Sequence, residues 1–144
     1  MNTIIAKGYV NVRTEKNAGA TITPGMLVEI AADGDFEPHS VSGGPGAKIF
    51  ALEDAYQGNT ITDDYSAGDR VIAQHFTPGE EVNAIASGDS TNAIAVGDLL
   101  ISNGDGTLSA LSHASADSIG EAVAWIGVAL EAAEGGEHFR VLII

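Results

Sequence analysis

The side chains best suited to chemistry in this sequence are four histidines, His39, His75, His113 and His138, and a surplus of carboxylates, 20 Asp and Glu in 144 residues. The histidines stand apart, with no His-x-His or His-Glu-x-x-His spacing to bring two imidazoles to one metal. Each reads as a surface residue or as an internally hydrogen-bonded one. Ser112-His113 and His39-Ser40 are neighbours, but adjacent residues of a strand point to opposite faces, so neither is a preset nucleophile–base pair. No Gly-x-Ser-x-Gly elbow is present. Gly43-Gly44-Pro45-Gly46-Ala47-Lys48 has the glycines of a phosphate loop without its frame: Ala47 stands where glycine must precede the lysine, and Ile49 where a hydroxyl must follow. Asp33-Gly34-Asp35-Phe36-Glu37 opens like a calcium loop, yet Pro38 takes the place of the required glycine and Gly44 that of the closing glutamate. Asn103 and Asp105 fail the same test at Leu108 and Ala114. Asp63-Asp64 and Glu53-Asp54 offer oxygen ligands with no spacing that frames an ion. The expectation is no catalytic residue, no metal and no cofactor.

Composition narrows the partners. Six Lys and Arg against 20 acids leave a net charge of -14, which repels phosphate backbones and anionic lipid, so neither nucleic acid nor a membrane surface is expected. The absence of cysteine excludes disulfides, thiolate zinc sites and thiol nucleophiles together. No apolar run approaches the ~18 residues of a membrane span, and MNTIIAKGYV lacks the plan of a signal peptide. The length suits one domain, and a 44% hydrophobic content suits a packed core rather than disorder.

The elements that would position any site are marked by turns. Eighteen glycines fall largely in pairs such as Pro24-Gly25, Asp33-Gly34, Pro78-Gly79, Gly97-Asp98 and Asn103-Gly104, residue types that accept positive φ. Between them, residues 26–30 (MLVEI), 48–52 (KIFAL), 70–76 (RVIAQHF), 81–86 (EVNAIA), 98–102 (DLLIS) and 139–144 (FRVLII) read as strands. Residues 103–106 (NGDG) predict a hairpin. Many short strands at regular spacing define a mainly β class, a small barrel or sandwich in a single domain with at most one or two short helices. Residues 122–131 support two readings, a buried strand or the continuation of a helix capped by Ser118 and Glu121, with the strand preferred and a short helix placed at 114–119 or 131–134. No linker or internal repeat divides the chain. Residues 1–20 differ from the rest, holding three of the six basic residues (Lys7, Arg13, Lys16); they read either as an arm or as a first strand, with residues 21–144 as the β-rich body.

From Thr23 onward the order of phrases carries a resemblance. It runs Thr23-Pro24-Gly25-Met26-Leu27-Val28-Glu29, Pro38-His39-Ser40, Ile49-Phe50-Ala51-Leu52-Glu53-Asp54 and Ala67-Gly68-Asp69-Arg70-Val71. It continues with Ala95-Val96-Gly97-Asp98-Leu99-Leu100, Asn103-Gly104-Asp105-Gly106-Thr107-Leu108, Gly127-Val128-Ala129-Leu130-Glu131-Ala132 and Arg140-Val141-Leu142-Ile143-Ile144. This series resembles the capsid decoration, or cement, proteins of tailed bacteriophages. The resemblance implies a barrel-like or β-tulip domain, made in the host cytoplasm and carried on the outer surface of the virion. There it would bind the major capsid protein of an expanded icosahedral head as a homotrimer and cement neighbouring capsomers. It also implies an N-terminal segment reaching the capsid or a neighbouring copy. The other reading of the same grammar is a different virion or surface β-module of tail or adhesin type, with a small β-barrel enzyme third.

Ile4, Ile5, Lys7, Tyr9, Val10 and Arg13 are therefore the candidate binding residues: apolar enough for strand addition to a partner's sheet, with basic groups for an acidic surface. Deleting residues 1–16 is expected to leave a folded domain. Residues 139–144 and 122–130 are expected inside the body, and the threefold contact around residues 50–56.

Overall fold

The computed structural model describes residues 2–9, 12–88, 93–111 and 124–144. Among these residues eleven strands form, in chain order β1 (Ile5–Lys7), β2 (Arg13–Asn17), β3 (Leu27–Ile30), β4 (Phe36–Pro38), β5 (Ile49–Ala51), β6 (Arg70–His75), β7 (Glu81–Ile85), β8 (Leu99–Ser102), β9 (Leu108–Ala110), β10 (Gly127–Ala129) and β11 (His138–Ile143). Among the described residues the helical content is a single 3-10 turn, Ala55–Gln57. The strands build two sheets, ordered β1-β7-β11-β10-β8-β9 and β2-β6-β5-β3-β4, and every pairing is antiparallel. The chain is mainly β and a single domain, as its turn grammar implies.

Each segment read as a strand contains one. In β11 alternation decides the outcome: Phe139, Val141 and Ile143 are buried while His138, Arg140 and Leu142 are only half-buried, the period-2 pattern of a strand covered on one face. Within the ambiguous stretch, Gly127–Ala129 is a strand, between β8 and β11. Glycine is required at Gly127 by space: a Cβ there would lie 2.5 Å from the Leu142 carbonyl oxygen and 2.6 Å from Val141 Cγ1. Residues 131–134 are not helical; Ala133 makes an antiparallel bridge to Ile94. The alternative helix at 114–119 and the capping box at Ser118 lie outside the described residues.

Three expectations need correction. No closed barrel forms among the described residues: an isolated parallel bridge, Ala18 to Phe36, draws the two end strands of the five-stranded sheet together, and another, Ala86 to Leu108, ties the residue after β7 to β9 while β1 stays at the edge of the six-stranded sheet. Nor do residues 2–9 and 12–20 leave the body as an arm. β1 and β2 are edge strands, one on each sheet, and Ile4 is fully buried in the core.

The third correction concerns repeats. Residues 13–76 and 81–144 fold alike, β2 to β6 corresponding in order to β7 to β11, with the same strand order in each sheet. The hydrogen bonds outside the ladders recur as well. Gly19 N–H donates to Phe36 O at 2.9 Å and Ser87 N–H to Leu108 O at 2.8 Å; Gly25 N–H donates to Ala51 O and Gly97 N–H to Ala129 O, both at 2.8 Å. Leu52 N–H to Ile72 O (2.8 Å) matches Leu130 N–H to Arg140 O (2.9 Å). Ile22 pairs with Tyr65 as Ile94 pairs with Ala133. The duplication escapes a reading of the sequence because equivalent positions share little beyond turn residues and apolar character.

The turns before strands share one construction. In Thr23-Pro24-Gly25-Met26, Ser66-Ala67-Gly68-Asp69, Thr77-Pro78-Gly79-Glu80, Ala95-Val96-Gly97-Asp98 and Glu134-Gly135-Gly136-Glu137, the fourth residue donates its N–H to the first carbonyl, at 3.0 to 3.1 Å. The third residue is glycine at positive φ, 96° at Gly25 and 91° at its counterpart Gly97, as a type II turn demands; in the turn at 134–137 Gly135 is positive too, at 55°, which is the type I′ form. In four of them the fourth side chain is a carboxylate that accepts the first residue's N–H, at 2.8 Å in the turns closed by Asp69, Glu80 and Asp98 and 3.2 Å in that closed by Glu137.

The core falls into two clusters. One, around Val28, Phe36, Tyr65 and Val71, lies within the first half. The larger gathers Phe139, Val141, Leu100 and Leu108 of the second half with Ile4, Leu27, Phe50 and Phe76. Phe50 and Phe76 meet edge to face, centroids 5.7 Å apart and planes at 85°.

Candidate functional site

The N-terminal residues singled out by the sequence are dispersed by the fold. Ile4 is unavailable to a partner: its side chain is in the core, its N–H donates to Glu53 Oε2 at 3.1 Å and its carbonyl accepts Asn83 N–H at 2.7 Å. Lys7 is exposed, with its ammonium 3.8 Å from Glu81. Tyr9 is 84% exposed, its N–H donating to Glu80 Oε1 and its carbonyl accepting Gln74 Nε2. Val10 lies outside the described residues. Ile5 and Arg13 do come together, lining a groove of about 210 Å³ with Leu52, Glu53, Ala55, Tyr56 and Ile72. A wider groove of about 490 Å³ lies against the same Glu53 and Ala55, walled by Asn2, Thr3 and residues 59–62.

The region placed at the threefold contact divides. Phe50, Ala51 and Leu52 are buried, whereas Tyr56 is 88% exposed. Val12, 68% exposed just before β2, was not singled out by sequence reasoning. Its signal was weak, one valine among polar neighbours.

A second cluster centres on His39, which is 2% exposed. Its Nε2 lies 3.0 Å from the Pro45 carbonyl oxygen and its Nδ1 2.7 Å from Ser102 Oγ. A carbonyl only accepts, so Nε2 carries a proton, and in the neutral ring Nδ1 accepts from the Ser102 hydroxyl. Ser102 Oγ in turn accepts Gly104 N–H at 3.2 Å, and Glu29 Oε2 stands 3.9 Å from the imidazole. Serine, histidine and glutamate thus meet as in a hydrolase, but Ser102 is fully buried. The arrangement ties the β8–β9 hairpin to residues 38–46. Of the two sequence readings, surface or internally hydrogen-bonded, His39 takes the second; Ser102 as partner had no local signal.

Tyr65 and Asp105 have displaced ionisation. Burial pushes the Tyr65 phenol up to about 12, helped by the negative charges of Asp54, Glu53 and Glu15 against a smaller opposing hydrogen bond from the Ile72 backbone. Its hydroxyl donates to Leu52 O at 2.7 Å. At Asp105 partial burial raises the carboxyl, but hydrogen bonds from the Thr107 hydroxyl and backbone N–H and from Asn103 outweigh it, so the net shift is downward. Both groups fasten structure: Tyr65 joins two loops, and Asp105 closes the hairpin turn.

The geometry defines a two-sheet β domain whose accessible features are edges and shallow grooves. No family model matches the chain, and no curated protein does. Among solved structures it is similar to the head fiber gp8.5 N base of bacteriophage phi29, at 19% identity and a TM-score of 0.59, over 92% of this chain and 93% of that one. At that identity the likeness is one of fold.

Proposed function

We propose that this chain is a structural protein of a tailed-phage virion that binds the outside of the head. The observation that carries this reading is the fold likeness to a head-fiber base, which runs nearly the full length of both chains. It joins a series of sequence phrases, from Thr23 to Ile144, that resembles phage decoration proteins. In finer detail, the chain binds the major capsid protein after the head expands, sits as a homotrimer and cements neighbouring capsomers. The physical character suits this role: a net charge of -14 keeps free copies apart, and exposed strand edges offer backbone pairing to a partner.

The test is co-sedimentation of the purified chain with heads of the phage that encodes it, before and after expansion, followed by electron microscopy. Density on the outer surface of expanded heads at threefold positions is the expected result. Binding to tails alone, or to neither form of the head, would refute the reading. Heads that bind the chain without gaining resistance to heat or chelation would leave attachment standing and remove cementing.

A further inference from the structure

The duplication exposes a difference between the halves. In the second half, alternation along β7 turns the N–H and C=O of Glu81 and Asn83 away from β11, and β1 with the preceding Ile4 lies against that edge: Asn83 N–H donates to Ile4 O at 2.7 Å, with Ile5 opposite Val82 and Lys7 opposite Glu81. The equivalent edge in the first half is β2. There Val12 O accepts His75 N–H at 3.1 Å, and Ala18 donates to Asp69 O at 2.8 Å and accepts from Gly68 N–H at 2.7 Å. Even-numbered residues of this stretch therefore face β6, and the backbone groups of Arg13, Glu15 and Asn17 point outward. Gly19, next in that series, donates to Phe36. Among the described residues no strand lies beside the other three.

We propose that the free edge of β2 receives an extended, acidic segment of a partner protein, added antiparallel in the position that β1 holds on β7. Charge complementarity selects the occupant. In a strongly acidic chain, this edge carries Arg13 and Lys16, and Arg70 lies opposite Asn17 on β6; Glu15, the acid among them, is engaged by Arg70 at 3.6 Å. Tyr9 and Val12, both largely exposed, flank the start of β2 and add apolar contact. Backbone pairing supplies affinity, and side chains at alternate positions read the guest. Edge lysines also guard sheets against adventitious pairing; here they exclude basic strands and admit acidic ones. The inference is independent of whether the partner is a phage head.

The experiment uses a capped heptapeptide of alternating glutamate and valine and follows amide hydrogen exchange of the full chain by NMR. Slowed exchange at Arg13, Glu15 and Asn17, with little change in β11, is expected. The same peptide with lysine for glutamate should bind at least about tenfold more weakly. Glu15→Pro removes one outward N–H without touching the β2–β6 ladder and should abolish the protection while the protein still melts cooperatively. The pair Arg13→Glu and Lys16→Glu, which leaves the backbone intact, should weaken binding to the same extent. Amides 13, 15 and 17 already protected in the free protein, self-association through β2, or peptide binding indifferent to both sets of substitutions would each overturn the proposal.

Discussion

Tyr65 shows how one buried polar group links local structure to pH. Its hydroxyl satisfies the Leu52 carbonyl, so Tyr65→Phe leaves a buried acceptor without its donor and should cost about 1 kcal/mol in chemical denaturation. The folded phenol titrates at about 12 rather than the ordinary 10.0, so the native state holds a proton that the unfolded chain releases between these values. Stability should therefore fall as pH rises from 10 toward 12, and the Phe variant should lack that fall. Asp105 works in the opposite direction. Its carboxyl is held below the ordinary 3.8, so its contribution is complete above that value and disappears as pH drops below it; Asp105→Asn should flatten this part of the acid unfolding curve. Gly127→Ala places a methyl against the Leu142 carbonyl, and overpacking of this kind should cost about 1–3 kcal/mol, read as a lower melting temperature.

At the scale of the element, four-residue turns with glycine third recur five times, and this explains how much could be read from the sequence. Pro-Gly and Gly-Asp pairs announced turns because glycine alone takes the required φ freely. The strands between them were visible because apolar and β-branched residues fill them. What could not be read is what lies across the sheet. β4 has a proline as its last residue and only Phe36 buried, so its local pattern was too short to register. β2 alternates exposed and half-buried polar residues, a pattern shared with a solvated tail, and only its ladder to β6 makes it a strand. The candidate binding residues were legible as a composition, apolar and basic, but the burial of Ile4 depends on β7, far away in sequence. The carboxylate that closes four of these turns is a testable unit: Asp98→Ala removes the acceptor of Ala95 N–H and should cost about 0.5–1 kcal/mol. Asp98→Asn, which keeps an acceptor oxygen, should recover part of that loss in the same melt.

The whole molecule is two similar halves that do not act as two domains. Each repeats one strand order, yet the larger core cluster mixes Leu27, Phe50 and Phe76 from the first half with Phe139 and Val141 from the second. Hydrogen bonds cross between them as well: Leu27 N–H to Gly106 O at 2.8 Å, Gly43 N–H to Ser102 O at 2.8 Å, and His39 to Ser102. β1, which precedes the first half, completes the sheet of the second. Separating the halves would expose Phe50 and Phe76 on one side and strip the second of Ile4 and of the strand beside β7. Residues 81–144 expressed alone should consequently lack a cooperative melt, although they contain a full set of five strands. The same logic revises the expectation for a shortened N-terminus. Removing residues 1–16 takes β1 from one sheet, most of β2 from the other and Ile4 from the core, so the remainder should unfold well below the intact chain or fail to fold. Calorimetry decides both points. The full chain should give one transition whose calorimetric and van't Hoff enthalpies agree; two separable transitions, or a shortened chain as stable as the whole, would mean that the halves are independent and that the shared core contributes little.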